Sequence, residues 1–95
     1  MQVKQSSVAG SMESSDIMIT LEPGTAGVEI ELRSIVEKQF GRAIRSAIIE
    51  TLTEMGVKNV KVKAVDKGAL DCTVRARVKA AVYRACGISC EWNVL

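Results

Sequence analysis

Apolar residues along this chain change their spacing three times. Ile17, Ile19 and Leu21 alternate with polar or semi-polar neighbours, and Val28, Ile30 and Leu32 alternate with Glu29, Glu31 and Arg33. A period of two marks a strand buried on one face. Phe40, Ile44, Ala47, Ile48, Leu52 and Met55 then recur at steps of three and four, the apolar stripe of a helix. Alternation returns with Val60, Val62 and Ala64 against Lys61 and Lys63. From Leu70 onward two spacings compete. A strand would use Leu70, Cys72, Val74, Ala76 and Val78; a helix would use Leu70, Val74, Val78, Ala81, Val82 and Ala85, over a longer stretch rich in alanine, which favours the helix.

Punctuation between these segments supplies the connections. Pro23-Gly24-Thr25-Ala26-Gly27 suits a hairpin between the first two strands. Ser34 with Glu37 has capping-box spacing, so the first helix is expected to start near Ser34. Gly56 falls where a left-handed residue closes a helix, and Gly87 does the same for the second helix. Asp66-Lys67-Gly68 reads as a turn. Residues 1–15 read as a flexible arm, and residues 88–95 as an irregular tail with Trp92 packing back. The expected fold is α+β, a two-layer sandwich in ββαβα order: a small, mainly antiparallel sheet with two helices on one face. Ninety-five residues make a single domain, 1–95.

Composition limits the chemistry. Only 3% of residues are aromatic against 47% hydrophobic, so the core must be aliphatic. Histidine is absent, which removes the commonest general base and metal ligand. Three cysteines cannot all pair, and Cys86 and Cys90 lack the partners of a zinc site; free thiols in a reducing, cytoplasmic setting are expected. No apolar run spans a bilayer, and MQVKQSSVAG has no apolar core of a signal peptide.

Charge is segregated. Residues 1–37 hold Lys4 and Arg33 against six acids, a net of −4; residues 38–86 hold eleven Lys or Arg against four acids, a net of +7. The basic residues between Lys58 and Arg84 could dock partner subunits or a negative group. No aromatic rings are interleaved with them, which argues against nucleic acid. Lys67 at a turn tip resembles the lysine of biotinyl or lipoyl carriers, but those domains are all-β. A different handle lies in VAGSMESSD, residues 8–16. A hydroxyl on an accessible segment can accept a bulky group from a modifying enzyme. Ser11, Ser14 and Ser15 all qualify on that ground.

Val8–Asp16, with Ser34-Ile-Val-Glu-Lys-Gln-Phe-Gly41, Val65-Asp-Lys-Gly-Ala-Leu-Asp-Cys72 and the Ala-Arg-Val of 76–78, resembles the acyl carrier (gamma) subunit of bacterial citrate lyase. The resemblance implies a non-catalytic subunit with no catalytic residue and no metal. It implies a covalent 2'-(5''-phosphoribosyl)-3'-dephospho-CoA group, held through a phosphodiester on the serine of the pattern G-[ST]-x-E-S, here Ser14. It also implies a holo-carrier transferase, an alpha subunit exchanging acetyl for citryl, and a beta subunit cleaving the citryl thioester to oxaloacetate. No nucleic-acid or membrane partner is implied. The related carrier of malonate decarboxylase is the alternative within the class. A cofactor-free interaction module is the alternative outside it.

Overall fold

A computed structural model describes residues 2–35 and 37–87. The elements are β1 (Ser7–Gly10), β2 (Ile17–Pro23), β3 (Val28–Ser34), α1 (Glu37–Glu54), β4 (Val60–Asp66) and α2 (Asp71–Ala85). The strands form one mixed sheet in the order β1-β2-β4-β3. β1 pairs with β2 and β2 with β4 antiparallel, while β3 and β4 run parallel. Parallel neighbours need a long crossover, and α1 supplies it. Both helices pack on one face, α1 against β3 and α2 against β1 and β2.

Two expectations are corrected. The first is the hairpin: β2 and β3 do not pair, because β4 lies between them. Their connection arches over the start of β4. Val60 N–H donates to the Gly27 carbonyl (3.0 Å), and Gly27 N–H donates to Asn59 Oδ1 (2.9 Å). A Cβ on Gly24 would lie 2.9 Å from the Val60 nitrogen, so the crossing requires glycine there.

The helix start is as expected: α1 begins at Glu37, three residues past Ser34, the last residue of β3, whose hydroxyl donates to Asp66 Oδ2 (2.8 Å). The second correction is the segment expected as an arm, 1–15. Ser7–Gly10 inside it is an edge strand, so the order gains a strand at its front. Val3 is buried, the backbone N–H groups of Lys4 and Gln5 both donate to the Ala85 carbonyl (3.2 Å each), and the Ser7 hydroxyl donates to the Ala81 carbonyl (2.7 Å). Four residues with one buried side chain, Ala9, are too few to show a period.

The core is aliphatic. Ile17, Ile19 and Leu21 of β2 and Val60, Val62 and Ala64 of β4 are buried beneath Ile44, Ala47, Ile48 and Leu52 of α1 and Val74, Val78, Ala81, Val82 and Ala85 of α2. Phe40, expected in the α1 stripe, is 53% exposed. The stripe's C-terminal end behaves as expected. Gly56 has φ +71°, its N–H donates to the Thr53 carbonyl (3.0 Å), and Val57 N–H donates to the Leu52 carbonyl (2.9 Å). That is a Schellman closure, sealed by the buried pair Leu52 and Val57. Gly87 likewise has φ +71°. The tail expected at 88–95, with Trp92 and Cys90, lies outside the described residues.

The segregated charges explain the register. On the face away from the helices Lys61 stands between Glu22 and Glu29, and Lys63 between Thr20 and Glu31. Lys63 Nζ also reaches Glu22 Oε1 at 3.4 Å. The basic strand thus sits between its acidic neighbours, where opposite charges on facing strands favour pairing.

Candidate functional site

β1 and β2 are joined by residues 11–16, and the local chain path follows from backbone geometry. Gly10 has φ +97°, and a Cβ there would fall 1.8 Å from the Ile17 carbonyl oxygen. Only glycine permits that close approach. Asp16 N–H donates to the Glu13 carbonyl (3.2 Å), closing a turn with Ser14 and Ser15 at its centre. Ser15 has φ +64°, the positive value a type II turn needs at its third position. Ser14 and Ser15 are exposed, whereas Ser11 is half-buried. Among the described residues no hydrogen bond engages the Ser14 hydroxyl.

The base of the loop is clipped by Asp16. Its Oδ1 accepts from Arg77 Nε (3.0 Å) and from Ile17 N–H (2.7 Å). Its Oδ2 accepts from Arg77 Nη2 (2.9 Å) and from the Ser11 hydroxyl (2.7 Å). The Ser11 oxygen in turn accepts from Glu13 N–H (3.3 Å). The Arg77 hydrogen bonds, then those from Ser11 and Ile17, lower the Asp16 pKa to about 2, against the ordinary 3.8. The Asp16 side chain is 14% exposed and that of Arg77 42%.

A second fastening comes from the turn after β4. Lys67 N–H donates to the Asp16 carbonyl (2.9 Å) and Ser15 N–H donates to the Lys67 carbonyl (2.8 Å). That turn is organised by Asp66, 1% exposed, whose carboxylate accepts from Ala69 N–H (2.9 Å) and Ser34 Oγ (2.8 Å). Ile35 N–H reaches the Asp66 carbonyl (3.4 Å). Three stretches far apart in sequence, 11–16, 34–35 and 65–69, therefore meet at one end of the sheet. Beside them Phe40, Ala43, Ala47, Leu70 and Val74 line an apolar groove of about 370 Å³ between the helices.

Ser14, the expected attachment residue, lies exposed in the turn closed by Glu13 and Asp16. The clip of Asp16 by Arg77, the close approach at Gly10 and the organising role of Asp66 are not foreseen from sequence. All four residues lie inside the quoted motifs, so the signal was present, but nothing in the spacing pairs Asp16 with Arg77. Three of the basic residues between Lys58 and Arg84 are paired with acids. Arg77 is spent on Asp16, Arg75 on Asp71 (2.7 Å) and Glu50 (3.3 Å), and Lys63 on Glu22. Cys72 is exposed and Cys86 buried. Among the described residues no group of Cys, Asp and Glu is arranged to hold a metal, and no helix is long and apolar enough to cross a membrane.

Comparison with known proteins adds what geometry cannot. Residues 4–85 match the model of a family described as "ACP: Malonate decarboxylase delta subunit (MdcD)". The citrate lyase acyl carrier protein of Streptococcus uberis is 62% identical over 99% of this chain and 100% of its own. That of Lacticaseibacillus casei is 61% identical over 90% of this chain and 84% of its own. In a crystal structure of a Pseudomonas malonate decarboxylase hetero-tetramer in complex with malonate, one chain shares the fold at a TM-score of 0.73 and 22% identity, covering 90% of this chain and 88% of that one. The chain belongs to the family of citrate lyase acyl carrier proteins, which are non-catalytic carrier subunits.

Proposed function

We propose that this chain carries 2'-(5''-phosphoribosyl)-3'-dephospho-CoA on Ser14 for a citrate lyase. The observation that carries the reading is Ser14 itself: an exposed hydroxyl, without a hydrogen-bond partner among the described residues, at the tip of a turn clipped on both sides. It fills the serine position of G-[ST]-x-E-S in a chain 62% identical to a citrate lyase carrier. An open hydroxyl on a tight turn fits a phosphodiester, because the group extends into solvent and displaces nothing from the core. Ser11 fits poorly, since its hydroxyl is half-buried and donates to Asp16.

When bound, the group supplies a terminal thiol that holds acetyl or citryl as a thioester. The chain's own part is mechanical. The sheet and helices form the rigid base, the turn offers the anchor, and the length beyond the anchor gives reach. Tethering makes each visit to a catalytic site intramolecular, with an effective concentration on the order of mM. The alpha and beta subunits of a cytoplasmic citrate lyase would perform acyl exchange and cleavage. A holo-carrier transferase would load Ser14.

Intact mass after co-expression with the transferase tests the reading. One nucleotide-sized gain is expected, absent in Ser14→Ala and retained in Ser15→Gly, which keeps the positive φ. A gain surviving in Ser14→Ala refutes the assignment. The description of the matching family model and the malonate decarboxylase fold neighbour favour a second reading, a malonate decarboxylase carrier. Reconstitution with citrate lyase alpha and beta subunits separates the two. A chain never modified in its native cells would instead be an interaction module.

A further inference from the structure

We infer that Asp16 and Arg77 are positioning residues for loading Ser14: their ion pair keeps residues 11–16 in the one shape a transferase must grip. The inference rests on the reading of Ser14 as the attachment site.

The turn carrying Ser14 has little to hold it by itself. Glu13, Ser14 and Ser15 are exposed, and Ser15 sits in a backbone region that side-chain-bearing residues visit at a cost. Beside the two backbone bonds to Lys67, what holds the shape lies at its base. Arg77 reaches up from α2 and donates twice to the Asp16 carboxylate, in the paired geometry that only a guanidinium offers. The other donors to that carboxylate, Ser11 Oγ and Ile17 N–H, come from the two ends of the loop. One carboxylate therefore gathers both ends of the loop and a helix 61 residues away. The packing of α2 on the core is transmitted to the turn through Arg77.

Loading joins the Ser14 oxygen to phosphorus of a phosphoanhydride donor. A P–O bond forms, the anhydride leaving group departs with its electron pair, and the hydroxyl proton passes to a base of the transferase. The carrier contributes only the placement of its oxygen. A loop ordered in a fraction f of molecules binds with an apparent dissociation constant raised by 1/f. Loosening the clip should thus act on recognition and not on the chemical step.

Initial rates of mass gain, measured against apo-carrier concentration with purified transferase, separate the two. Arg77→Gln and Asp16→Asn are each expected to raise KM about tenfold, the effect of a tenfold fall in the ordered fraction, with kcat unchanged. Amide exchange at residues 12–16 should speed up in the same variants. The double variant should be no worse than the worse single, as for two residues acting through one contact. Arg77→Lys should recover part of the loss, and Ser11→Ala, the mildest change, should give a smaller rise. An unchanged KM in variants whose loop exchanges faster overturns the inference, as does a fall in kcat alone. Loading of Ser14→Ala would instead overturn the attachment reading, and this inference with it.

Discussion

The Ser34 hydroxyl donates a 2.8 Å hydrogen bond to the Asp66 carboxylate, joining the last residue of β3 to the last residue of β4. The same carboxylate accepts from Ala69 N–H and so shapes the turn into α2. Asp66 is 1% exposed, which makes it the buried charge on which the site end of the sheet is built. Asp66→Ala would remove the acceptor of both hydrogen bonds. A loss of about 2–4 kcal/mol is expected, since hydrogen bonds to charged groups contribute about 1.5–3 kcal/mol each and do not fully add. Urea denaturation measures it; a loss under 1 kcal/mol would show that water replaces the carboxylate there.

Glycines 10 and 27 give a matched comparison. Both have positive φ, +97° and +83°. A Cβ at Gly27 meets nothing within 4 Å, whereas one at Gly10 would overlap the Ile17 carbonyl oxygen. Gly27→Ala should cost about 1 kcal/mol, the backbone penalty alone. Gly10→Ala should cost clearly more and disturb the pairing of Gly10 with Met18. Thermal unfolding of the two variants side by side checks the order.

Acid should release the serine loop late. The Asp16 pKa is depressed to about 2 in the folded chain, from 3.8. A carboxyl lowered by folding contributes fully above its unfolded pKa, and its contribution is lost as pH falls through the folded value. The clip should thus be intact at pH 5 and fade between about 4 and 2. Carboxyl NMR titration reads the midpoint directly. In Arg77→Gln the Asp16 midpoint should move back up, because the largest cause of the shift has gone; an unmoved midpoint would deny the pair.

Phe40 and Leu52 both belong to the apolar stripe of α1, yet they should respond differently to truncation. Leu52 is fully buried, so Leu52→Ala should cost about 2–5 kcal/mol. Phe40 is 53% exposed, and Phe40→Ala should fall well below the about 3–5 kcal/mol typical of a buried ring. Chemical denaturation of both variants decides whether Phe40 is core or surface.

Much of this fold can be read before any coordinates. Spacing of two at 17–21, 28–32 and 60–64 marks three strands, and spacing of three and four marks both helices, because each period leaves one face apolar. Gly56 announces the end of α1 because only a residue tolerant of positive φ can close it that way. Partner choice is less legible. Pro23–Gly27 looks like a hairpin because local turn chemistry is indifferent to whether the strands on either side touch. The capping-box spacing at Ser34 marks the start of α1, at Glu37, but nothing local shows that the same hydroxyl also reaches Asp66, 32 residues on.

The chain's linear order was enough to establish an aliphatic α+β domain, its family and the serine in the family pattern, since these depend on residue type and short spacing. Folding alone placed β4 between β2 and β3 and brought Asp16 to Arg77, 61 residues away. Contacts of that kind come from burying both helices on one sheet face, and no local pattern of residues encodes which distant side chains then meet.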